Sequence, residues 1–507
     1  MNDEDCYHID ELDDDNTNDQ KHENHIFTSF AATSTTTPII PDIVPGILYT
    51  HQTFGLSKSG KKYLYKVIPH DVSLSPCLVS YDLKVEFNKK SVNKFVLFKY
   101  TDDYVNNNII VGILAETLGN EDDLNAYFEY LLYAKNVHVD TRDFNKQFKV
   151  LQTYTTSLNN HFDKYNFCSE KIITIDNENT EFYDDALSIR FINEKTITVS
   201  VFIANVPGWL EHMDLWRHMY NMKTVYLQNK RHLMLPRGFT KMCSLQENEM
   251  RNAVHIQYTF VEKSEGGVNI IGTPEISISV HNICVAKNHH YESDALKNDP
   301  MYQTLLRFSQ QLDPSIVNSR ELVRFWMIHC NRDLAEVMKS RNIGLYKPFY
   351  DRIDSESLVK SINSKARLNN HDHHREYYTT NKNENYAQFT CPLRRMADII
   401  NLTQILTNDQ FPLGNGFIRY WMSNLKEHNE AMINIRKIEN KCYLMNLLKN
   451  ANEEEVIYDA TYIGNNIIQV PSLNRLFHIP NHVATPAHEI TKCKIYVIKH
   501  SIFIQCY

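Results

Sequence analysis

Residues 171–191 read Lys171-IITIDNENTEFYDDALSIR-Phe191. The first six residues alternate as a short apolar strand that ends on Asp176, and Asp184 and Asp185 follow shortly after it. Three carboxylates within ten residues at the end of an apolar strand repel one another unless a cation neutralises them. Hard cations such as Mg²⁺ take oxygen ligands and bridge carboxylates to phosphate oxygens. Asp176, Asp184 and Asp185 are therefore candidate metal ligands, with Mn²⁺ as the alternative to Mg²⁺.

Working outward, strand-like segments follow at 196–206 (TITVSVFIANV) and 253–261 (AVHIQYTFV). Helical texture takes over at 320–340, where Leu322, Trp326, Cys330, Leu334 and Met338 recur every fourth residue, and again near 431–449. Upstream, KKYLYKVI, CLVSYDLKVEF and KFVLFKY alternate between turn signals, which suggests a small β-barrel of the oligonucleotide-binding kind, closed by a helix at DLNAYFEYLLYAKNV. The last 55 or so residues return to β texture.

Gly55-Leu-Ser-Lys-Ser-Gly60-Lys61 matches the start of a phosphate-binding loop. That loop needs Ser or Thr next and then a helix. Lys62 and a strand-like KYLYKVI follow instead, so a hairpin turn is expected.

The net charge is −8, but ten acids and one lysine fall within residues 1–24, so the remaining body is close to neutral. Residues 1–45, ending in a Ser/Thr/Pro-rich stretch, read as an acidic disordered tail and linker, with a protein partner for the tail as an open expectation. No apolar run reaches the roughly 18 residues that a membrane span needs. The ten cysteines form no CxxC pair, as expected of reduced thiols in an intracellular, cytoplasmic protein. The run His371-Asp372-His373-His374 sits in an Asn-rich polar stretch and reads as an exposed loop.

The segment around Asp176–Asp185 resembles T-I-D-x5-D-x-D-D-A of the RNase II / RNase R (RNB-domain) family of 3′-to-5′ exoribonucleases. Further resemblances follow in the family's order: TITVSVFIANVPGWL, TVYLQNKRHLMLPRGFTKMCSLQENEMRNAV, HCNRDLAEVMKSRNIGLYKP and YAQFTCPLRRMADIINL, with VGILAETLGNEDDLNAYFEYLLYAKNV before them. The resemblance implies an α+β fold, with an RNB catalytic domain of mixed sheet and helices at 169–450. It is flanked by a cold-shock/OB-like RNA-binding region at 46–168 and a short S1-like β-barrel at 451–507. It also implies a monomer that hydrolyses single-stranded RNA to 5′-mononucleotides with Mg²⁺.

By position, the resemblance makes Asp176, Asp184 and Asp185 the metal ligands, with Asp184, Asp185 and Arg394 catalytic. Tyr226, Arg394 and Arg395 would bind RNA, Tyr226 by stacking on the terminal base. Phe349 or Tyr350 would add a second stacking wall. The chain departs from the family at Phe182, where an aspartate is called for, and at Asn205, Cys391 and Met396. Glu181 would replace the missing ligand only if the loop shifted by a residue. The alternative to an exonuclease is an RNB-fold RNA-binding protein with weak or no nuclease activity.

Overall fold

The computed structural model describes residues 8–10, 42–83, 91–105, 109–154, 164–265, 268–347, 379, 386–406, 412, 414–451, 457–464, 467–473, 475–479, 490–498 and 500–506. Phe349, Tyr350 and the His371–His374 run lie outside them, as does all of the acidic segment except strand β1 (His8–Asp10).

Strands β2 (Val44–Leu56), β3 (Tyr63–Pro69), β4 (Cys77–Tyr81), β5 (Lys94–Val105) and β6 (Ile109–Asn120) close into a barrel in the order β2-β3-β4-β6-β5. Only β4 and β6 pair in parallel, and β2 pairs back onto β5, so this is the five-stranded OB arrangement. The sequence from Gly55 to Lys61 is the β2–β3 turn: Ser57 N–H donates to Lys62 O and Gly60 N–H to Ser57 O. Gly55 and Gly60 hold φ of +98° and +69°, open to glycine at no steric cost. Helices α1 (Leu124–Ala134) and α2 (Arg142–Tyr154) lead out of the barrel.

The central sheet is built from β7 (Ile172–Asp176), β8 (Asp185–Asn193) and β9 (Thr196–Ala204), followed after α3 (Val206–His212) by the two-residue strands β10 (Val225–Tyr226) and β11 (Arg231–His232), which pair with each other. Helix α4 (Arg237–Cys243) precedes β12 (Met250–Glu265), β13 (Val268–Ile271) and β14 (Glu275–His290). The sheet runs β13-β12-β14-β7-β8-β9, and β9 also pairs with β12.

Its two faces feed two cores, as period-two alternation requires. Ile172, Ala186, Phe202 and Ala204 pack with the α3 and α4 side. Ile173, Leu187, Val201 and Ile203 pack with α6 (Pro300–Leu312) and α7 (Ser319–Arg341), which follow the short α5 (Asp294–Lys297). The five residues of the four-spaced row in α7 are all buried, and Trp326 Nε1 donates to Ser309 Oγ at 2.9 Å.

Helices α8 (Met396–Leu406), α9 (Gly414–Ser423) and α10 (Leu425–Ala451) complete the domain. The segment expected to be S1-like supplies β15 (Ile457–Gly464), β16 (Ile467–Val470), β17 (Arg475–His478), β18 (Ile490–Ile498) and β19 (Ser501–Cys506). With β1 they form a six-stranded sheet in the order β1-β17-β16-β15-β18-β19.

Candidate nucleic-acid site

The site is assembled around the loop that carries Cys391-Pro-Leu-Arg394-Arg395. Two buried asparagines hold this loop. Asn331 of α7 accepts from Phe389 N–H at 2.9 Å, and Asn401 of α8 donates to Gln388 O at 3.0 Å. At its end, Asp398 accepts from Cys391 N–H at 2.7 Å, while Arg395 Nε lies 3.0 Å from the other Asp398 oxygen. Asp398 is fully buried, so Arg395 serves first as its counter-charge.

Arg394 turns the other way. Its Nε lies 3.4 Å from Asp184 Oδ2, and its Nη2 donates to Cys391 Sγ at 2.9 Å. Leu393 N–H donates to Asp184 Oδ1 at 2.8 Å. Burial lifts the Asp184 carboxyl to about 6, against the opposing pull of Arg394 and of the Leu393 N–H. Burial likewise raises the Cys391 thiol to about 12, so it is a neutral thiol at physiological pH.

The same loop recruits Tyr226. Thr224 N–H donates to Arg394 O and Met396 N–H to Met222 O, which lays the 222–226 segment alongside 394–396. Burial raises the Tyr226 hydroxyl, with Arg394 pulling it down and Asp184 pushing it up, so the ring sits within electrostatic reach of both. Glu439 on α10 fixes this segment: it accepts from Tyr226 N–H at 2.9 Å and from Lys223 Nζ at 2.8 Å. Sequence reading missed Glu439, since a single acid within a polar helix carries no local signal.

Asp184, Arg394 and Tyr226 are thus brought together. Asp176 ends β7, as expected, and Asp185 opens β8. Adjacent residues of an extended segment point to opposite faces. Asp184 meets Leu393, and the charge of Asp185 is felt by Cys330 of α7 on the other face. Among the described residues, no group of three or more His, Cys, Asp or Glu side chains is placed to hold a metal ion.

Phe182 is partly buried against the core on the α3 and α4 side. Glu181 does not take over as a ligand: it pairs with Arg231 at 2.9 Å and with Arg237. The fourth carboxylate that the resemblance calls for is therefore lacking at position 182, and Glu181 beside it is held in ion pairs. The change at Asn205 is structural. Its Oδ1 accepts from Gly208 N–H at 3.0 Å and caps α3, while its Nδ2 donates to Asn252 at 2.7 Å.

An OB-type barrel is joined here to a mixed sheet with helices on both of its faces and an arginine loop at its strand ends, an α+β architecture. The RNB domain family model matches residues 164–293 of this chain. No curated protein matches it. Among solved structures, the apo form of Mycoplasma genitalium RNase R is similar at 15% identity and a TM-score of 0.62, over 91% of this chain and 89% of that one. The same enzyme in complex with double-stranded RNA is similar at 14% identity and a TM-score of 0.60, over 94% of this chain and 97% of that one. Yeast Ssd1, a pseudonuclease, is similar at 14% identity and a TM-score of 0.51, over 87% of this chain and 65% of that one. These likenesses show the fold, shared by an RNase and a pseudonuclease. Among the described residues no helix is long and apolar enough to cross a membrane.

Proposed function

We propose that this chain binds the 3′ end of single-stranded RNA at the Tyr226–Arg394 site and hydrolyses it weakly or not at all. Tyr226 would stack on a base and Arg394 would grip a backbone phosphate, a combination that is indifferent to sequence. The observation that carries this reading is the state of Asp184. Its carboxylate is held by Leu393 N–H and Arg394, while Phe182 fills the position of a fourth carboxylate.

A second reading, a 3′-to-5′ exoribonuclease using Mg²⁺ or Mn²⁺ at Asp176, Asp184 and Asp185, is favoured by one feature. Asp184 keeps a carboxyl group at a buried position, an arrangement that a bound cation would relieve. It requires the three carboxylates to converge from the positions described above.

Incubation of 5′-labelled single-stranded RNA with Mg²⁺ or Mn²⁺ separates the two. Little or no shortening by the native protein, with a clear gain in Phe182→Asp, supports the first reading. A ladder of products that disappears in Asp185→Asn supports the second and overturns the first.

A further inference from the structure

Where the family resemblance calls for a carboxylate at 182, this chain sets an aromatic ring beneath a guanidinium. Arg231 Cζ lies 6.0 Å from the centroid of Phe182. Its Nη2 is 2.9 Å from Glu181 Oε2, and Arg237 pairs with the other oxygen of the same carboxylate. Two guanidiniums share one carboxylate, so one positive charge is in excess. Their side chains are 38% and 72% exposed, which leaves donors facing solvent.

The β10–β11 ribbon places this charge. Directly opposed residues on paired strands project to the same face. Val225 pairs with His232, and that face turns to the α1 side: Val225 lies in the same core as Phe128 of α1, and His232 Nε2 is 2.9 Å from Glu129. Tyr226 pairs with Arg231, so these two share the other face. The Tyr226 side chain is the one within reach of Arg394 and Asp184. Arg231 therefore stands beside the proposed RNA site, held over Phe182 by Glu181.

We propose that Arg231, seconded by Arg237, is a phosphate-binding residue of this site, and that it makes RNA binding there independent of divalent cations. This rests on the RNA-binding reading above. A guanidinium offers planar paired donors that match phosphate oxygens, and the Phe182 face beneath it keeps the group in place. Arg394 shares its charge with the Asp184 carboxylate, so the Arg231–Arg237 pair adds positive charge beside the phosphate contact of Arg394.

The test is fluorescence anisotropy of a labelled oligouridylate over a salt series, in EDTA and in Mg²⁺, for the native protein and for Arg231→Ala, Arg231→Lys and Glu181→Gln, each checked for folding by thermal denaturation. Native binding should be equal in EDTA and Mg²⁺. Arg231→Ala should weaken it about tenfold and lower the slope of log K against log salt by about 0.7. Arg231→Lys should recover part of the loss. Glu181→Gln, which removes the neutralising charge, should tighten binding, a gain that a purely structural role for this pair would not produce. Native binding that collapses in EDTA overturns the proposal, as does a folded Arg231→Ala variant that binds like the native protein, or a Glu181→Gln variant that binds more weakly. A native protein that binds no RNA in either condition overturns the RNA-binding reading and the proposal with it.

Discussion

Replacing Asp184 with asparagine should stabilise the protein at neutral pH. Asp184 is buried, and its carboxyl is lifted from 3.8 to about 6. A lift of about two units means that ionising Asp184 costs the folded state ~3 kcal/mol relative to the unfolded chain. The raised value makes the folded state the better proton binder between pH 3.8 and about 6, so the native protein loses stability as pH rises through that window and gains none above it. The asparagine side chain cannot ionise, and its carbonyl can still accept from Leu393 N–H.

The variant should therefore be more stable by about 2–3 kcal/mol at pH 7.5, a melting-temperature gain of several degrees. The gap should shrink at pH 5. Urea denaturation at the two pH values measures it directly. A variant less stable than the native protein at pH 7.5, or a gap that is the same at both pH values, would refute the idea that Asp184 is a carboxylate kept at the expense of stability. Such a cost is what a residue retained for function shows.

Three further outcomes are expected. Arg395→Ala leaves the fully buried Asp398 without its guanidinium and should destabilise the fold by about 3 kcal/mol in denaturant titrations. Tyr226→Ala should weaken single-stranded RNA binding by about 1–3 kcal/mol, while Tyr226→Phe, which keeps the ring, should bind nearly as the native protein does in the same anisotropy assay. Asn205→Asp sets a carboxylate oxygen against Asn252 Oδ1 in a buried position and should lower stability by about 1–3 kcal/mol, read as a fall in melting temperature.

Local periodicity made much of the fold legible. The four-residue spacing from Leu322 to Met338 is a helix face that packs under the sheet, and α7 buries all five residues. The non-helical continuation after Lys61 marked a hairpin turn, which the β2–β3 connection bears out. The pairing of β1 with β17 could not be read in advance, because strand partners far apart in sequence leave no local pattern.

At the site, the ordered motifs pointed to Asp184, Arg394 and Tyr226, and these three do meet. What stayed hidden depends on register and side-chain direction. Asp184 and Asp185 are adjacent in sequence, but the bond of Asp184 to Leu393 N–H, far along the chain, leaves no local pattern. The Arg231–Tyr226 pairing needs the two-residue ribbon to be known, and the hold of Glu439 on Tyr226 joins residues more than two hundred positions apart. Glu181, the nearest acid to the missing ligand, turns to Arg231 and Arg237 because two guanidiniums within reach outcompete a shift of the loop.

The most direct measurement is photocrosslinking of a 5′-labelled single-stranded RNA that carries 4-thiouridine as its last nucleotide, in Mg²⁺, followed by peptide mapping and sizing of the attached RNA. Full-length RNA joined to the peptide that contains Tyr226 is the expected result. RNA shortened before attachment, or crosslinks confined to the barrel at 44–120, would contradict a site that holds the 3′ end without efficiently cutting it.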